Sequence, residues 1–362
     1  MASNTIYPYG PGGQLPSGVG IVNDLSTGGA DKALSAGMGK KLNEDGVYAE
    51  AILAAKNTIF PTDATSWFGN SFGKGVNILH FSDLHGDAIN LSRIAAFKAK
   101  VSGLAALHTG DVVNNTFADG IDFWTPSGAD DIMQCIGNHD VAGGKTAAEC
   151  YARYISPFVS GWGVTSQSDV CYYYKDWSEK SVRLIVLDCM HWDATQKSWL
   201  ESTLAGAKTA GYHVVVANHY APGASAENRA TAFDTIGANS ASWDNINSQA
   251  PAAVQDFIDG GGHFVCWLCG HTHADMFRFP TAYSDQLYVA VANAGINAHV
   301  VSHAECQIVR ENGEHSQDLF NLVSINATRQ TLTIVRVGAD RDTIGRHIGT
   351  VVYDYANKEI LQ

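Results

Sequence analysis

Five stretches of this chain end an apolar run on side chains that bind metals. "NILHFSDLHGD" reaches Asp83 and His85, "LAALHTGD" ends on Asp111, and "IMQCIGNHD" ends on Asn138, His139 and Asp140. "HVVVANHY" carries His219, and "CWLCGHTH" carries His271 and His273. A lone histidine at a strand end is ordinarily a hydrogen-bonded structural residue. Five such ends, on strands that converge on one edge, are a different matter. Carboxylate, amide and imidazole donors without thiolate suit divalent Mn, Fe, Zn or Ni. The last stretch offers cysteines as well. Cys266 and Cys269 are three apart in an extended run, so they point to opposite faces and cannot chelate one ion together. No second pair stands at zinc-finger spacing. The cysteines read as core, and the two histidines as the donors.

The elements that must position these groups are legible from texture. "VNILHF", "GLAALH", "VRLIVLDC", "YHVVVA" and "HFVCWLC" read as buried strands. Between them, "AINLSRIAAFKAKV", "QKSWLESTLAGAKTAG" and "AAVQDFIDGGG" read as helices, and after residue 275 the chain turns mostly to β. Buried strands alternating with helices, each strand closing on a polar tip, predict an α/β layered sheet with its site at the strand ends. Residues 141–180 form an aromatic-rich excursion ("YISPFVSGWG", "CYYYKDW") expected to wall or cap the site. Its Trp162, Tyr172 and Tyr174 are more simply packing residues than sugar or base platforms. Asp87 reads as the cap of the first helix, and His108 as structural.

Residues 1–30 are rich in Gly, Pro, Ser and Asn and cannot form a core. The next segment spaces Leu34, Met38 and Leu42 as one stripe of a short helix that must dock on something. We therefore divide the chain into an N-terminal arm, 1–70, and a catalytic domain, 71–362. The N-terminus lacks the basic and apolar regions of a secretory signal, and no apolar run approaches the roughly 20 residues of a membrane helix. A net charge of −13 argues against a nucleic-acid partner, which calls for a basic stripe. The seven cysteines, an odd count without a framework, predict reduced thiols and synthesis in a cytoplasm.

The ordered series D-x-H, GD, GNHD, a solitary His after a Val-rich strand, and GHTH resembles the calcineurin-like metallophosphoesterase family. The linking strands and helices and the later "RVGADRDTIGR" are similar too, so the likeness covers about residues 75–355. It implies a four-layer α/β/β/α sandwich, two mixed sheets flanked by helices. It also implies two divalent metal ions, one held by Asp83, His85 and His273, the other by Asn138, His219 and His271, with Asp111 bridging them. A hydroxide shared by the pair would attack phosphorus in line, and His139 would protonate the leaving oxygen or stabilise the transition state, with Asp140 and Asn114 as its catalytic neighbours.

One departure matters. Many phosphatases of the family carry an Asp-Arg pair three residues after the bridging Asp, the Asp orienting the catalytic His and the Arg binding phosphate. Here Asn114 and Asn115 stand there. Asn114 can still hydrogen-bond His139 but brings no charge. A phosphodiester, with one charge fewer than a monoester dianion, suits that site better. His191 and Asn115 are the candidate substrate contacts.

The arm's "GIVNDLSTGGADKALSAGMGKKLNE" resembles segments of phage tail and fibre proteins. That resemblance implies an enzyme mounted on a virion through residues 1–70, as a homo-oligomer or against another tail protein. Its target would be phosphodiester links in a host surface polymer. The competing readings are a cytoplasmic phosphomonoesterase or nucleotide phosphodiesterase, and a catalytically silent receptor-binding tail protein that retains the metal site.

Overall fold

A computed structural model describes residues 20–22, 32–34, 75–100, 103–114, 121–221, 241–273, 276–279, 283–295, 318–338 and 350–361. Two short strands come first, β1 (Gly20–Val22) and β2 (Lys32–Leu34), paired in parallel. This corrects the expected arm helix at its first position: Leu34 lies in a strand, while Met38 and Leu42 fall outside the described residues. A single apolar stripe in a glycine-rich segment is too weak a helical signal to resist strand pairing.

The first large sheet begins with β3 (Val76–Phe81), followed by helix α1 (Ala88–Lys100), β4 (Leu104–His108) and β5 (Met133–Gln134), the three strands running parallel. Asp87 caps α1, its carboxylate accepting from Asn90 N at 3.0 Å. Helices α2 (Ala147–Cys150) and α3 (Val159–Trp162) flank a π-helical turn at Tyr151–Ile155.

The second sheet collects β6 (Thr165–Ser166), β7 (Tyr173–Trp177), β8 (Val182–Val186), then α4 (Ala194–Ala210) and β9 (His213–Ala217). Helix α5 (Ala241–Asp259) leads to β10 (His263–Cys269), β11 (Met276–Arg278) and β12 (Tyr288–Ala290). The chain then returns to the first sheet with β13 (Leu319–Asn326), β14 (Thr331–Gly338), β15 (Thr350–Asp354) and β16 (Glu359–Ile360). The two orders are β16-β15-β14-β13-β3-β4-β5 and β11-β12-β10-β9-β8-β7-β6, each mixing parallel and antiparallel pairs.

The cores explain why the central strands are apolar throughout. Leu184, Val186, Val215, Ala217, Cys266 and Leu268 share one core with Ile78, Val323 and Ile334 of the first sheet. The residues between them, Ile185, Val214, Val216, Trp267 and Cys269, pack instead against Leu200 and Leu204 of α4 and Val254 and Phe257 of α5. Strand periodicity of two thus feeds both faces of one sheet. On the first sheet, Phe97 of α1 meets Phe320 of β13 with ring centroids 4.8 Å apart. The result is the expected helix–sheet–sheet–helix layering.

Residues 141–180 are partly core: Tyr154, Trp162 and Tyr173 are buried, and the Tyr173 hydroxyl donates to Gln134 O at 2.9 Å, tying β7 to β5. Tyr172 is also buried, while half-buried Tyr174 lies under the Arg183 guanidinium, 4.2 Å from its ring centroid.

Candidate metal centre

The carboxyl ends of β3, β4, β5, β9 and β10 meet at one place, so both sheets supply donors. Their loops are laced by main-chain bonds. Asp83 N donates to Gly110 O (2.9 Å), His85 N to Asp111 O (3.0 Å), and Gly270 N to His219 O (3.0 Å). The backbone is contorted there. Five of the nine non-glycine residues with positive φ among the described residues are Asp83, His85, Asp111, His271 and His273. Left-handed backbone costs an L-residue roughly 1–2 kcal/mol, and such strain gathers where function over-determines the structure.

Three triplets of donor atoms each lie within 4.8 Å of one another: Asp83, His85 and His273; His85, Asp111 and His139; Asp111, His219 and His271. Asp111 Oδ2 lies 3.3 Å from His219 Nε2, 3.8 Å from His139 Nε2 and 4.0 Å from His85 Nε2, a central position. Its other oxygen accepts from His139 N at 2.9 Å. Asp83 divides its oxygens similarly. Oδ2 accepts from His271 N at 2.9 Å, while buried Oδ1 has no hydrogen-bond partner and faces His273 Nε2 at 3.3 Å. Asn138 Oδ1 sits 3.1 Å from His219 Nε2. An orphaned carboxylate oxygen among converging imidazole nitrogens is the donor set a divalent cation needs.

The ligands are aimed by groups behind them. His219 Nδ1 lies 2.7 Å from Thr109 O, which makes Nδ1 the donor and turns Nε2 to the cluster. Glycine matters at two contacts. A Cβ on Gly137 would lie 2.2 Å from Asp111 Oδ1, and one on Gly270 would lie 1.8 Å from Ser82 Oγ.

Electrostatically the cluster is a buried anion set wrapped in imidazoles. Burial alone would raise the Asp83 carboxyl, but His273, His219 and His85 hold it well below the usual range. Burial lowers His85 to about 4 and His271 to about 3. His219 goes the other way: burial disfavours its cation, but the Asp111 carboxylate carries it up to about 9. A metal bound by His219 must displace that proton, so affinity should fall in acid.

The remaining expected site residues divide. His139, with its Nε2 facing Asp111, sets Nδ1 against the main-chain carbonyl of Asn114. Asp140, expected beside it as a catalytic neighbour, has a fully buried carboxylate that accepts four main-chain N–H groups. His191 has both ring nitrogens occupied, Nδ1 by Asp188 Oδ2 and Nε2 by Lys145 O, each at 2.8 Å. It braces two loops, and neither nitrogen is left for a substrate. Asn115 lies outside the described residues. Sequence reasoning missed Thr109, Gly137 and Tyr220, whose ring stands 4.4 Å from that of His271. Only the glycine carried a signal, its place in "GNHD".

These features define a two-sheet metallohydrolase with donors for two ions. This chain belongs to the calcineurin-like phosphoesterase family, whose model matches residues 76–275. By family it is a metal-dependent phosphoester hydrolase. Its fold is similar to the crystal structure of a dimetal phosphatase from Danio rerio, at 11% identity and a TM-score of 0.50, over 77% of this chain and 98% of that one. Protein TT1561 of Thermus thermophilus also aligns, at 10% identity and a TM-score of 0.39, over 72% of this chain and 99% of that one. No curated protein sequence matches the chain. No helix among the described residues is long and apolar enough to cross a membrane.

Proposed function

We propose that the chain hydrolyses a phosphodiester at a centre where Asp83, His85 and His273 hold one divalent cation, Asn138, His219 and His271 a second, and Asp111 both. The observation that carries this is Asp111 itself, one carboxylate shared by two donor triplets, with Oδ2 turned into the cluster and Oδ1 fixed by His139 N. When bound, such a pair of ions supplies Lewis acidity and water activated at neutral pH. The chain's own residues do the rest. The loops hold the donors in strained, fixed positions, and Thr109 orients His219. His139, with Nδ1 against the Asn114 carbonyl, keeps Nε2 available to hand a proton to the leaving oxygen.

Preference for a diester is supported by Asn114 and Asn115 where phosphatases of the family carry an Asp-Arg pair. With no arginine at that place, a second phosphate charge has no cation there to meet it. The arm's likeness to phage tail segments supports a virion-mounted enzyme acting on a phosphate-containing host surface polymer, held through residues 1–70 to further copies or to another tail protein.

The deciding experiment compares hydrolysis of bis-p-nitrophenyl phosphate and p-nitrophenyl phosphate with added Mn²⁺, using His139→Ala as control. Faster diester turnover, lost in the variant, is expected. Equal silence of both proteins with metal bound would sink the enzymatic reading. Faster monoester turnover would sink the diester preference alone.

A further inference from the structure

We propose that Asp140 is a positioning residue that sets Asp111 in its central place by clamping two loops with one carboxylate. Its Oδ2 accepts from Asp111 N and Gly137 N, both at 2.9 Å. Its Oδ1 accepts from Val112 N at 2.9 Å and Val113 N at 3.2 Å. Four N–H groups from the loops after β4 and β5 therefore converge on two oxygens. The backbone is shaped for this: Gly110 and Asp111 have φ of 104° and 60°, and successive N–H groups in such a turn form an anion-binding concavity.

The clamp works through geometry that leaves no slack. Gly137 approaches so closely that a Cβ there would lie 2.4 Å from Asp111 N. With its N–H held by Asp140 on one side, Asp111 has its Oδ1 held by His139 N on the other, which leaves Oδ2 for the cluster. Asp140 is fully buried, and each of its oxygens already accepts two bonds, so it acts on the reaction only through Asp111 and the Gly137–Asn138 turn. Only a side chain with two acceptor oxygens can meet all four N–H groups. Asparagine offers a single acceptor oxygen and would turn its NH₂ donors onto two of the four N–H groups.

This inference rests on the metal-centre reading, and its test keeps the two separable. Metal-stripped wild type, Asp140→Asn and Asp140→Glu are titrated with Mn²⁺ by calorimetry, well below each protein's melting temperature. Turnover of bis-p-nitrophenyl phosphate is measured alongside. Wild type is expected to bind two equivalents. Asp140→Asn should lose about 10–100-fold in affinity for at least one equivalent, the usual size for a group behind a ligand, and should fall in kcat more than in KM. Asp140→Glu keeps both acceptors on a longer stem and should recover part of the affinity; should Asp140→Asn fail to fold, it carries the comparison.

A variant that melts lower yet binds both equivalents as wild type does, with unchanged kcat, overturns the proposal and leaves a purely stabilising role. If wild type binds no metal, the metal-centre reading fails instead. The clamp is then read from amide hydrogen exchange at Asp111, Val112, Val113 and Gly137, where exchange unchanged by Asp140→Asn overturns it.

Discussion

His85 Nε2 and His273 Nε2 lie 3.0 Å apart in a buried site, on loops from different sheets. Two neutral imidazoles hold that distance only if a proton or a cation stands between their lone pairs. The orphaned Oδ1 of Asp83 beside them argues for the cation. Chelation should therefore loosen the junction between the sheets. At a metal concentration 100 times Kd, each site adds about 2.7 kcal/mol. Melting should fall by at least about 5 °C in excess chelator and recover with Mn²⁺. His273→Ala should bind one ion fewer by elemental analysis, and an unchanged stoichiometry would refute its assignment as a ligand.

Gly270 makes a second prediction. A Cβ there would strike Ser82 Oγ at 1.8 Å and approach Asp83 Oδ2 at 2.7 Å. Gly270→Ala should cost about 1–3 kcal/mol of stability, as overpacking does. Ser82→Gly in the same chain should return part of it, since the nearest obstacle is gone. Denaturant melts of the two single variants and the double variant close the cycle. Strict additivity would mean that the two residues do not compete for the space.

The His139 contact separates side chain from main chain. Because the Asn114 carbonyl faces Nδ1, Asn114→Ala should keep kcat within about threefold, whereas His139→Ala should lose about 10²–10⁴-fold, the usual weight of a general acid. A large loss in Asn114→Ala would show that the amide, rather than the backbone, orients the ring.

Far from the cluster, at the opposite ends of β9 and β10, His213 stacks on His263 with centroids 4.4 Å apart, and its Nδ1 lies 2.8 Å from the Tyr355 hydroxyl. Burial, then the neighbouring His263, lowers His213 to about 4. A folded-state value below the unfolded 6.5 means that the unfolded chain takes the proton first. The stabilising contribution is present above about pH 6.5 and is lost as pH falls towards 4. His213→Asn should melt lower than wild type at pH 7, and the gap should narrow at pH 5. A gap that stays constant with pH would show that His213 takes up no extra proton on unfolding.

Much of this centre could be read in advance because each donor follows an apolar strand run. The run fixes where the strand ends, and the polar tip fixes what stands there. The opposite orientations of Cys266 and Cys269 followed from a period of two, and the structure places them in separate cores. Main-chain direction was not legible. Nothing in "GNHD" says that its last carboxylate turns inward onto N–H groups, or that residue 114 presents its main-chain carbonyl to His139. The arm failed for a different reason: Leu34, Met38 and Leu42 have helical spacing, but glycine-rich surroundings let Lys32–Leu34 pair with Gly20–Val22 instead.

The buried cysteines have one more consequence. All six described thiols are free and buried, and burial raises every one of them, away from the reactive thiolate. None of them closes a bridge on which the fold depends, and none offers a thiolate that would readily attack peroxide or a disulfide. As far as these six residues go, the folded domain is chemically indifferent to redox poise. Those six residues undergo no covalent change between surroundings where glutathione rules and surroundings where oxygen does.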